Sequence, residues 1–264
     1  ATPGRSFDLR SQGYLDFSNV KILILDEADQ MLDLGFIKDI RDLIKYLPTR
    51  RQTLFFSATI DKKIKRTAYS LVKSEAIRIQ ISPKNPVAKN VHHQVAFIEM
   101  DHKRFFLERL INENPTSKIL VFVRTKVRAE RVKKAMERVG LEGLTLHGDK
   151  DQKNRNTILD LFKSGATKLL IATDISARGI DIPNVEYVVN YDLPAQTENY
   201  VHRVGRTGRG KHRGEALSFC SPDEQPLLEK IEDFIGSTIE ILPIESGDYQ
   251  HPLVLNQVAD NDWR

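Results

Sequence analysis

The chain has 264 residues, 40% of them hydrophobic and 29% charged, a mixture typical of globular proteins that excludes a disordered or fibrous chain. The formal net charge is +4 and the pI is about 9.0, which is a mild indication of a polyanionic partner. A single cysteine, Cys220, excludes a disulfide framework and predicts a reducing, cytoplasmic location, with the thiol itself in the core. No apolar run is long enough to span a membrane.

Short apolar runs alternate with amphipathic helical patterns along the first 81 residues. Because strands that alternate with helices form parallel sheets covered by helices on both faces, this part is predicted to be an α/β unit. Three strands are few for a doubly wound sheet, so we expect the unit to be the C-terminal part of a larger domain. The apolar patterns predict strands at 21–25, 53–57 and 76–81, and helices at 36–47 and 60–72.

Residues 82–90 contain two prolines and two asparagines without an apolar period, which is typical of an interdomain linker. The alternation of strands and helices then resumes and predicts a second, complete α/β domain over 91–246. Residues 247–264 have no clear period and are predicted to be a loosely packed tail. The predicted strands of the second domain are 92–100, 118–123, 144–147, 168–173, 185–191 and 214–219, and its predicted helices are 103–112, 126–139 and 154–165.

Carboxylates follow the first aliphatic run, in the segment LILDEAD from Leu23 to Asp29. Open parallel sheets bind ligands at the carboxyl ends of their strands, so Asp26 is placed to hold Mg²⁺ and Glu27 to orient or deprotonate a water molecule. An acidic helix N-terminus explains an isolated pair better, but it does not explain the whole motif as well. Ser57-Ala58-Thr59 also follows a strand, and by itself this tripeptide is better explained as a helix cap.

Two later segments combine glycine with arginine. In 171–183 a strand ends at Thr173, and the following loop can offer backbone groups to phosphate and a carboxylate to a ribose hydroxyl, although an ordinary strand-to-helix loop remains the alternative. In 200–213 three arginines recur every third residue with glycines between them, which argues against a solvated helix face and favours phosphate binding over a generic polyanion patch. HGDKDQKNR, with His147, Gln152 and Arg155, is by itself better explained as a capped strand-to-helix junction.

These segments together resemble the DEAD-box RNA helicases of superfamily two, which are ATP-dependent enzymes built from two RecA-like parallel-sheet domains. The similarity runs from Thr2 to near Ile244. It implies an α/β fold with a first RecA-like domain, 1–81, truncated to its C-terminal part and a complete second one, 91–246. The segments that carry the resemblance are Thr2-Pro3-Gly4-Arg5, Asp26-Glu27-Ala28-Asp29, Ser57-Ala58-Thr59, Val121 to Thr125, Gln152 with Arg155, Ala172 to Asp181, and His202 to Arg209.

The resemblance also implies a role for each matching position, with ATP and Mg²⁺ as cofactors and RNA as the partner. The implied catalytic residues are Asp26, which holds Mg²⁺ through water, Glu27, Arg206 and Arg209. The implied ATP-binding residues are Gly179 and Asp181. The residues implied to couple the two domains are Asp29, Ser57, Thr59, Arg178 and His202. The residues implied to bind RNA are Thr2, Arg5, Thr173, Arg124, Gln152 and Arg155.

The implied function is local unwinding of RNA coupled to ATP hydrolysis, in which two domains close around ATP and RNA. The sequence has no GxxxxGK[ST] P-loop and no adenine-reading Q motif, both of which the family carries upstream of TPGR. We therefore expect this polypeptide alone to be deficient in ATP hydrolysis, because no glycine-rich loop holds the phosphates. An RNA-binding or partner-binding module without a nucleotide cycle remains an alternative, as does, more weakly, a DNA helicase of the same superfamily.

Overall fold

The computed structural model describes residues 1–33, 35–57, 62–72, 75–80, 87–177, 182, 185–208 and 213–244. The chain divides into two compact units, Ala1–Ile81 and Ser82–Arg264. The limits 1–81, 82–90, 91–246 and 247–264 for the domains, the linker and the tail remain predictions. Among the described residues, no helix has the length and apolar character needed to cross a membrane.

The first unit contains two parallel strands, β1 (Ile22–Leu25) and β2 (Gln52–Phe55), with Ile22 opposite Gln52 and Leu25 opposite Phe55. Its core gathers Leu25 of β1 with Ile40 and Leu71 of two helices. Ile22 and Ile24, on the other face of β1, are 54% and 58% exposed, so within the described residues only one face of β1 is buried. The helices of this unit are α1 (Pro3–Ser11), α2 (Ala28–Asp33), α3 (Ile37–Lys45) and α4 (Lys62–Leu71).

The strand predicted at 76–81 is wrong over its described part. Residues 76–80 belong to no strand, and Ile77 and Ile79 are 89% and 80% exposed. An alternating apolar pattern forms a strand only when a neighbouring strand takes its backbone hydrogen bonds, and the sheet of this unit pairs β1 with β2 alone in the part of the chain described. The alternating apolar residues of this segment are therefore not sufficient to form a strand when no neighbouring strand pairs with them.

Among the described residues, the second unit is built on a seven-stranded parallel sheet. Every strand predicted for this unit is present, and a short edge strand is added near residue 240. The strands are β3 (Val91–Phe97), β4 (Ile119–Phe122), β5 (Leu144–Leu146), β6 (Leu169–Ala172), β7 (Tyr187–Asn190), β8 (Gly214–Cys220) and β9 (Glu240–Ile241). Their order across the sheet is β5-β6-β4-β7-β8-β3-β9.

Helices cover both faces of this sheet, as the alternating burial of β4 demonstrates. Ile119 and Val121 belong to one buried cluster, whereas Leu120 and Phe122 belong to another, because successive side chains of a strand point to opposite faces. Cys220 is buried as predicted, and burial raises the pKa of its thiol to about 11. The helices are α5 (Lys103–Glu113), α6 (Lys126–Arg138), α7 (Gln152–Ser164), α8 (Asp174–Ala177), α9 (Thr197–Val204) and α10 (Gln225–Ile235).

Local capping residues fix the ends of the helices that follow the functional strands. Thr125 caps α6 by accepting a hydrogen bond from the Arg128 backbone N–H, and Asp151 caps α7 in the same way through the N–H of Asn154. Gly165 ends α7 in the left-handed conformation, with φ of 79°, which glycine adopts without steric cost. Thr125 and Asp151 therefore start α6 and α7 shortly after the carboxyl ends of β4 and β5.

Candidate functional site

The acidic segment forms the turn from β1 into α2, at the carboxyl end of β1. The Ala28 N–H donates to the carbonyl oxygen of Phe56 at 3.0 Å, and the Phe56 N–H donates to that of Leu25 at 2.8 Å. The acidic turn is therefore bonded to the segment that follows β2, one residue before Ser57. The structure thus brings Asp26–Asp29 beside Ser57, whereas Thr59, which was predicted with them, lies outside the described residues.

The carboxylates of this turn differ in their exposure and backbone conformation. Asp26 is exposed, Glu27 is half-buried and Asp29 is 9% exposed. Asp26 Oδ1 accepts a hydrogen bond from the Glu27 N–H at 2.9 Å, and Glu27 has a φ of 51°, an uncommon conformation for a residue other than glycine. Residues held in this way cost roughly 1–3 kcal/mol and cluster at functional sites. The turn therefore presents its first carboxylate to solvent on a constrained backbone.

The exposed carboxylate suits a hard cation such as Mg²⁺, which uses one or two protein carboxylates and keeps several water molecules. The described residues contain no cluster of three or more His, Cys, Asp or Glu side chains able to enclose a metal. The donor set therefore fits a cation held by Asp26 together with water and phosphate oxygens, and it does not fit a closed protein cage.

Thr2 and Arg5, both predicted to bind RNA, lie at the start of α1. Thr2 is the N-cap, and its hydroxyl oxygen accepts from the Arg5 N–H at 3.4 Å, with Pro3 in the first turn. The Arg5 guanidinium forms an exposed ion pair with Asp8. The unpaired N–H groups and the dipole of a helix N-terminus favour anions, so this end of α1 is chemically suited to phosphate.

Two of the predicted RNA-binding residues of the second unit are linked through Ser176, which sequence reasoning missed. The Thr173 and Ser176 hydroxyl oxygens are 3.0 Å apart, and Arg155 Nη2 donates to the Ser176 carbonyl oxygen at 3.2 Å. Ser176 Oγ also donates to the Leu146 carbonyl oxygen at 2.6 Å, which fixes the start of α8 to the end of β5. Gln152 instead bonds Asn156 along the exposed surface of α7, at 2.9 Å.

Arg124 lies just beyond the carboxyl end of β4, an interior strand of the sheet. Its backbone N–H donates to Asp192 Oδ2 at 2.9 Å, and its Nη2 donates to Glu224 Oε1 at 3.0 Å. The Arg124 side chain is 47% exposed although Glu224 is 4% exposed. The guanidinium is therefore held on one side by a buried carboxylate and open to solvent on the other.

The arginines of the 200–213 segment do not share one environment. Arg203 is 1% exposed, and its Nε and Nη2 donate to the two carboxylate oxygens of Asp174 at 2.6 and 2.9 Å. Its Nη1 donates to Asn190 Oδ1 at 3.1 Å and to the Asp192 carbonyl oxygen at 2.7 Å. Arg203 is thus an internal residue and is not available to phosphate.

The helix α9 ends at Val204 with Gly205 as its C-cap, and the next residue, Arg206, is half-buried. Arg206 Nε donates to the carbonyl oxygen of His202 at 3.2 Å, which joins two of the predicted site residues within one turn of chain. His202 is also half-buried. Four other predicted site residues lie outside the described residues, namely Arg178, Gly179, Asp181 and Arg209.

Two family models match the chain: that of the DEAD/DEAH box helicases matches residues 1–67, and that of the helicase conserved C-terminal domain matches residues 102–211. The crystal structure of the E. coli DEAD-box protein SrmB bound to the regulator of ribonuclease activity A is 31% identical, with a TM-score of 0.56. That match covers 60% of this chain and 92% of the SrmB chain. The chain belongs to the DEAD-box RNA helicase family.

Other DEAD-box proteins match nearly the whole chain. The ATP-dependent RNA helicase DbpA of Bacillus subtilis is 38% identical over 94% of this chain and 51% of its own length. The structure of S. cerevisiae Dbp5 bound to RNA and ADP BeF3 is 31% identical, with a TM-score of 0.85, over 93% of this chain and 65% of that one. The chain spans about half the length of the curated relatives it matches.

Membership of the DEAD-box family confirms the predicted fold class, since the parallel α/β sheets have structural neighbours with RecA-like domains. Relatives in this family are named ATP-dependent helicases, so the use of a nucleotide is a property of the family to which the chain belongs. The roles predicted for individual residues remain predictions.

His147, a weaker candidate from the sequence, is 6% exposed, and its contacts are those of a residue that stabilises the fold. Its Nε2 lies 2.8 Å from Glu130 Oε1, an oxygen that also accepts from Thr145 Oγ1 at 2.7 Å and Lys150 Nζ at 3.1 Å. Burial by itself would raise the pKa of Glu130, but the hydrogen bonds from His147, Thr145 and Lys150 lower it to about 2. Glu130 is therefore an acceptor that ties β5 and the following loop to α6.

Proposed function

We propose that the chain acts as a DEAD-box ATP-dependent RNA helicase that separates or remodels RNA locally and couples this to ATP hydrolysis. The observation that supports this most directly is the acidic turn at the carboxyl end of β1, where Ala28 is hydrogen-bonded to Phe56 at 3.0 Å, beside Ser57. Open α/β sheets bind nucleotides at this edge. The curated relatives that cover 93–94% of the chain are named ATP-dependent RNA helicases, which supports the same proposal.

In this proposal, particular residues bind the metal ion, the attacking water, the γ-phosphate and the nucleotide. Asp26 holds Mg²⁺ through water, and Mg²⁺ supplies positive charge to the phosphate oxygens. Glu27 orients the attacking water and accepts its proton. Arg206 and Arg209 stabilise the charge that develops on the γ-phosphate. The nucleotide itself is held by Gly179 and by Asp181, whose carboxylate accepts from the ribose hydroxyls.

The RNA strand is bound mainly through its phosphates, which carry no sequence information, so we expect little sequence preference. The half-exposed Arg124 and the Thr173–Ser176–Arg155 linkage support this assignment in the second unit. The nucleotide state is transmitted to the RNA contacts by Asp29, Ser57, Thr59, Arg178 and His202. The RNA-binding residues are Thr2, Arg5, Arg124, Gln152, Arg155 and Thr173. A cytoplasmic location is part of the proposal, on the basis of the single cysteine.

A second candidate is an RNA-binding or partner-binding module without a nucleotide cycle. It is favoured by one observation, namely that these 264 residues contain no P-loop sequence. The experiment that separates the two candidates compares the chain with a chimera in which the segment of B. subtilis DbpA that precedes the matched region is fused before Ala1. Phosphate release is measured for both proteins with and without single-stranded RNA.

The helicase proposal expects no RNA-stimulated release from the chain alone and clear stimulation in the chimera. Glu27→Gln in the chimera should reduce the stimulated rate by about 10²- to 10⁴-fold, since general-base catalysis contributes that much. Asp42→Asn, which alters an exposed carboxylate paired with Lys45 in the same unit, is the matched control. A folded chimera that binds RNA but releases no phosphate in response to it would favour the module.

A further inference from the structure

A buried ion pair lies beneath Arg124. Lys103 is fully buried, and its ammonium group donates to the carbonyl oxygens of Tyr191 at 2.8 Å and Phe219 at 3.0 Å, and to Glu224 Oε2. Neither Lys103 nor Glu224 was predicted to be a site residue. An ammonium group has three donors, and these three acceptors satisfy all of them. Lys103 therefore fixes the ends of β7 and β8 together and presents its charge to Glu224.

The Glu224 carboxylate is almost completely enclosed by donors. Its Oε2 also accepts from the Ser221 hydroxyl at 3.1 Å and the Ser221 N–H at 3.3 Å. Its Oε1 accepts from the Leu193 N–H at 3.1 Å and from Arg124 Nη2 at 3.0 Å. The carboxylate cannot rotate without breaking several of these bonds, so the position of Oε1 is fixed.

Oε1 of Glu224 is the side-chain atom that anchors Arg124. A second, longer contact joins Arg124 Nη2 to the Leu193 carbonyl oxygen at 3.4 Å, and Asp192 holds the Arg124 backbone N–H. A guanidinium has five N–H donors, and within the described residues the side-chain contacts of Arg124 use only Nη2. The remaining donors can reach a phosphate from a fixed position, without first ordering a flexible side chain.

We infer that Glu224, itself held by Lys103, is a positioning residue that fixes the Arg124 guanidinium for an RNA phosphate. This inference rests on the proposed function, because it assumes that Arg124 contacts RNA. A buried ion pair adds little net stability compared with apolar residues of similar size, but it places its partners accurately. In this unit, the pair places the guanidinium at the carboxyl end of β4, an interior strand of the sheet.

The test uses the intact 264-residue chain and a fluorescent single-stranded RNA of about ten nucleotides. The main variant is Lys103→Met/Glu224→Gln, which removes one positive and one negative charge and so leaves the net charge unchanged. It also avoids leaving one buried charge without its partner, which is the main route by which a single substitution would unfold the unit. Glu137→Gln, which removes a carboxylate paired with Lys133 on the surface of α6, is the control.

We expect the double variant to bind RNA about three- to tenfold more weakly, and Arg124→Ala to weaken binding at least as much. Both should reduce the slope of log K against log salt by up to about 0.7, the value for one phosphate contact on a single strand. Adding Lys103→Met/Glu224→Gln to Arg124→Ala should produce no further loss, because the positioning effect acts only through Arg124. A general structural defect would weaken binding in both backgrounds.

The outcomes distinguish the inference from the proposed function. If Arg124→Ala weakens RNA binding but Lys103→Met/Glu224→Gln leaves the affinity unchanged or raises it, the positioning role is overturned and the RNA contact stands. If Arg124→Ala has no effect on affinity or salt slope, the RNA contact and the positioning role both fail. Should the double variant be unfolded by circular dichroism, Glu224→Gln is assayed below its unfolding temperature, with the same outcomes applying to it.

Discussion

Arg203 and Asp174 form a two-bond ion pair, with Nε to Oδ1 at 2.6 Å and Nη2 to Oδ2 at 2.9 Å. Arg203 belongs to α9, and Asp174 is the first residue of α8. Their contact joins the arginine-rich segment to the loop that follows β6, and these are two of the segments on which the family resemblance depends. The parallel fork of a guanidinium and a carboxylate fixes orientation as well as distance.

We therefore predict that Arg203→Lys destabilises the second unit by about 1–3 kcal/mol, the usual cost of leaving buried polar groups without their hydrogen-bond partner. Lysine keeps the charge but cannot supply the planar fork, and it would leave Asn190 Oδ1 and the Asp192 carbonyl oxygen without their donor. Native-state hydrogen exchange of the most protected amides of β4 and β7 measures the free energy of unfolding of this unit.

The matched control is Arg109→Lys, the same substitution at an exposed ion pair with Glu113. We expect it to change the unfolding free energy by less than about 1 kcal/mol, because exposed pairs contribute little. Equal effects of the two substitutions would contradict the internal role assigned to Arg203.

Arg206, three residues further on, should behave in the opposite way. In the DbpA chimera, Arg206→Ala is expected to reduce RNA-stimulated phosphate release by about 10³-fold or more, the effect of losing an arginine at the γ-phosphate. The unfolding free energy should change less than for substitution of Arg203, since Arg206 is half-buried whereas Arg203 is 1% exposed. A stable variant with full activity would remove Arg206 from the proposed catalytic residues.

The edge strand β9 should be docked in a pH-dependent manner through His92. His92 Nε2 lies 3.0 Å from Glu240 and its Nδ1 lies 2.8 Å from Glu215. Its hydrogen bonds with Glu240 and then Glu215 raise the pKa of His92 above its ordinary value of 6.5. Hydrogen bonds from His92 and Gln94 lower the pKa of Glu240 below 4.5.

The signs of these shifts define the pH window. A raised histidine pKa gives stability that is complete below pH 6.5 and is lost as the pH rises through the folded-state value. The contribution of Glu240 is present above its ordinary pKa of 4.5 and is lost as the pH falls through the lowered value. Docking of β9 should therefore be strongest between pH 4.5 and pH 6.5 and weaken as the pH rises through the raised pKa of His92.

Exchange of the Leu242 amide, which donates to the Val95 carbonyl oxygen at 2.8 Å, measures this docking. After correction for intrinsic rates, its protection should decrease as the pH rises above 6.5, and His92→Gln should remove the dependence. The Ile119 amide, bonded to the Lys168 carbonyl oxygen at 2.8 Å, is the internal control. Parallel behaviour of both amides would point to global unfolding instead of β9.

Gly214 should tolerate no side chain. A Cβ atom there would lie 2.0 Å from Thr207 Oγ1 and 2.2 Å from the Gly208 nitrogen, so the turn after Arg206 would have to move. We expect Gly214→Ala to destabilise the second unit by at least about 1–3 kcal/mol, the usual cost of overpacking. Gly148→Ala, where nothing lies within 4 Å of the added atom, is the control and should be nearly neutral in a urea unfolding experiment.

Much of the second unit could be predicted from the sequence because interior strands such as β4 and β6 are continuous apolar runs, and burial on both faces requires such runs in a parallel sheet. The same reasoning failed at 76–81, where an alternating pattern has no neighbouring strand among the described residues. It also missed Ser176, Lys103 and Glu224. Serine, lysine and glutamate are common in the segments next to strands and helices, so the sequence positions of these three residues do not indicate a role.

The sequence by itself determined the family and the parallel α/β class, because the order of motifs and the hydrophobic periods are properties of neighbouring residues along the chain. It could not distinguish Arg203 from Arg206, which share the same residue type and the same glycine-interrupted pattern. Only the tertiary structure decided that one is internal and the other is not. Burial depends on Asp174, Asn190 and Asp192, which other elements of the sheet bring to Arg203.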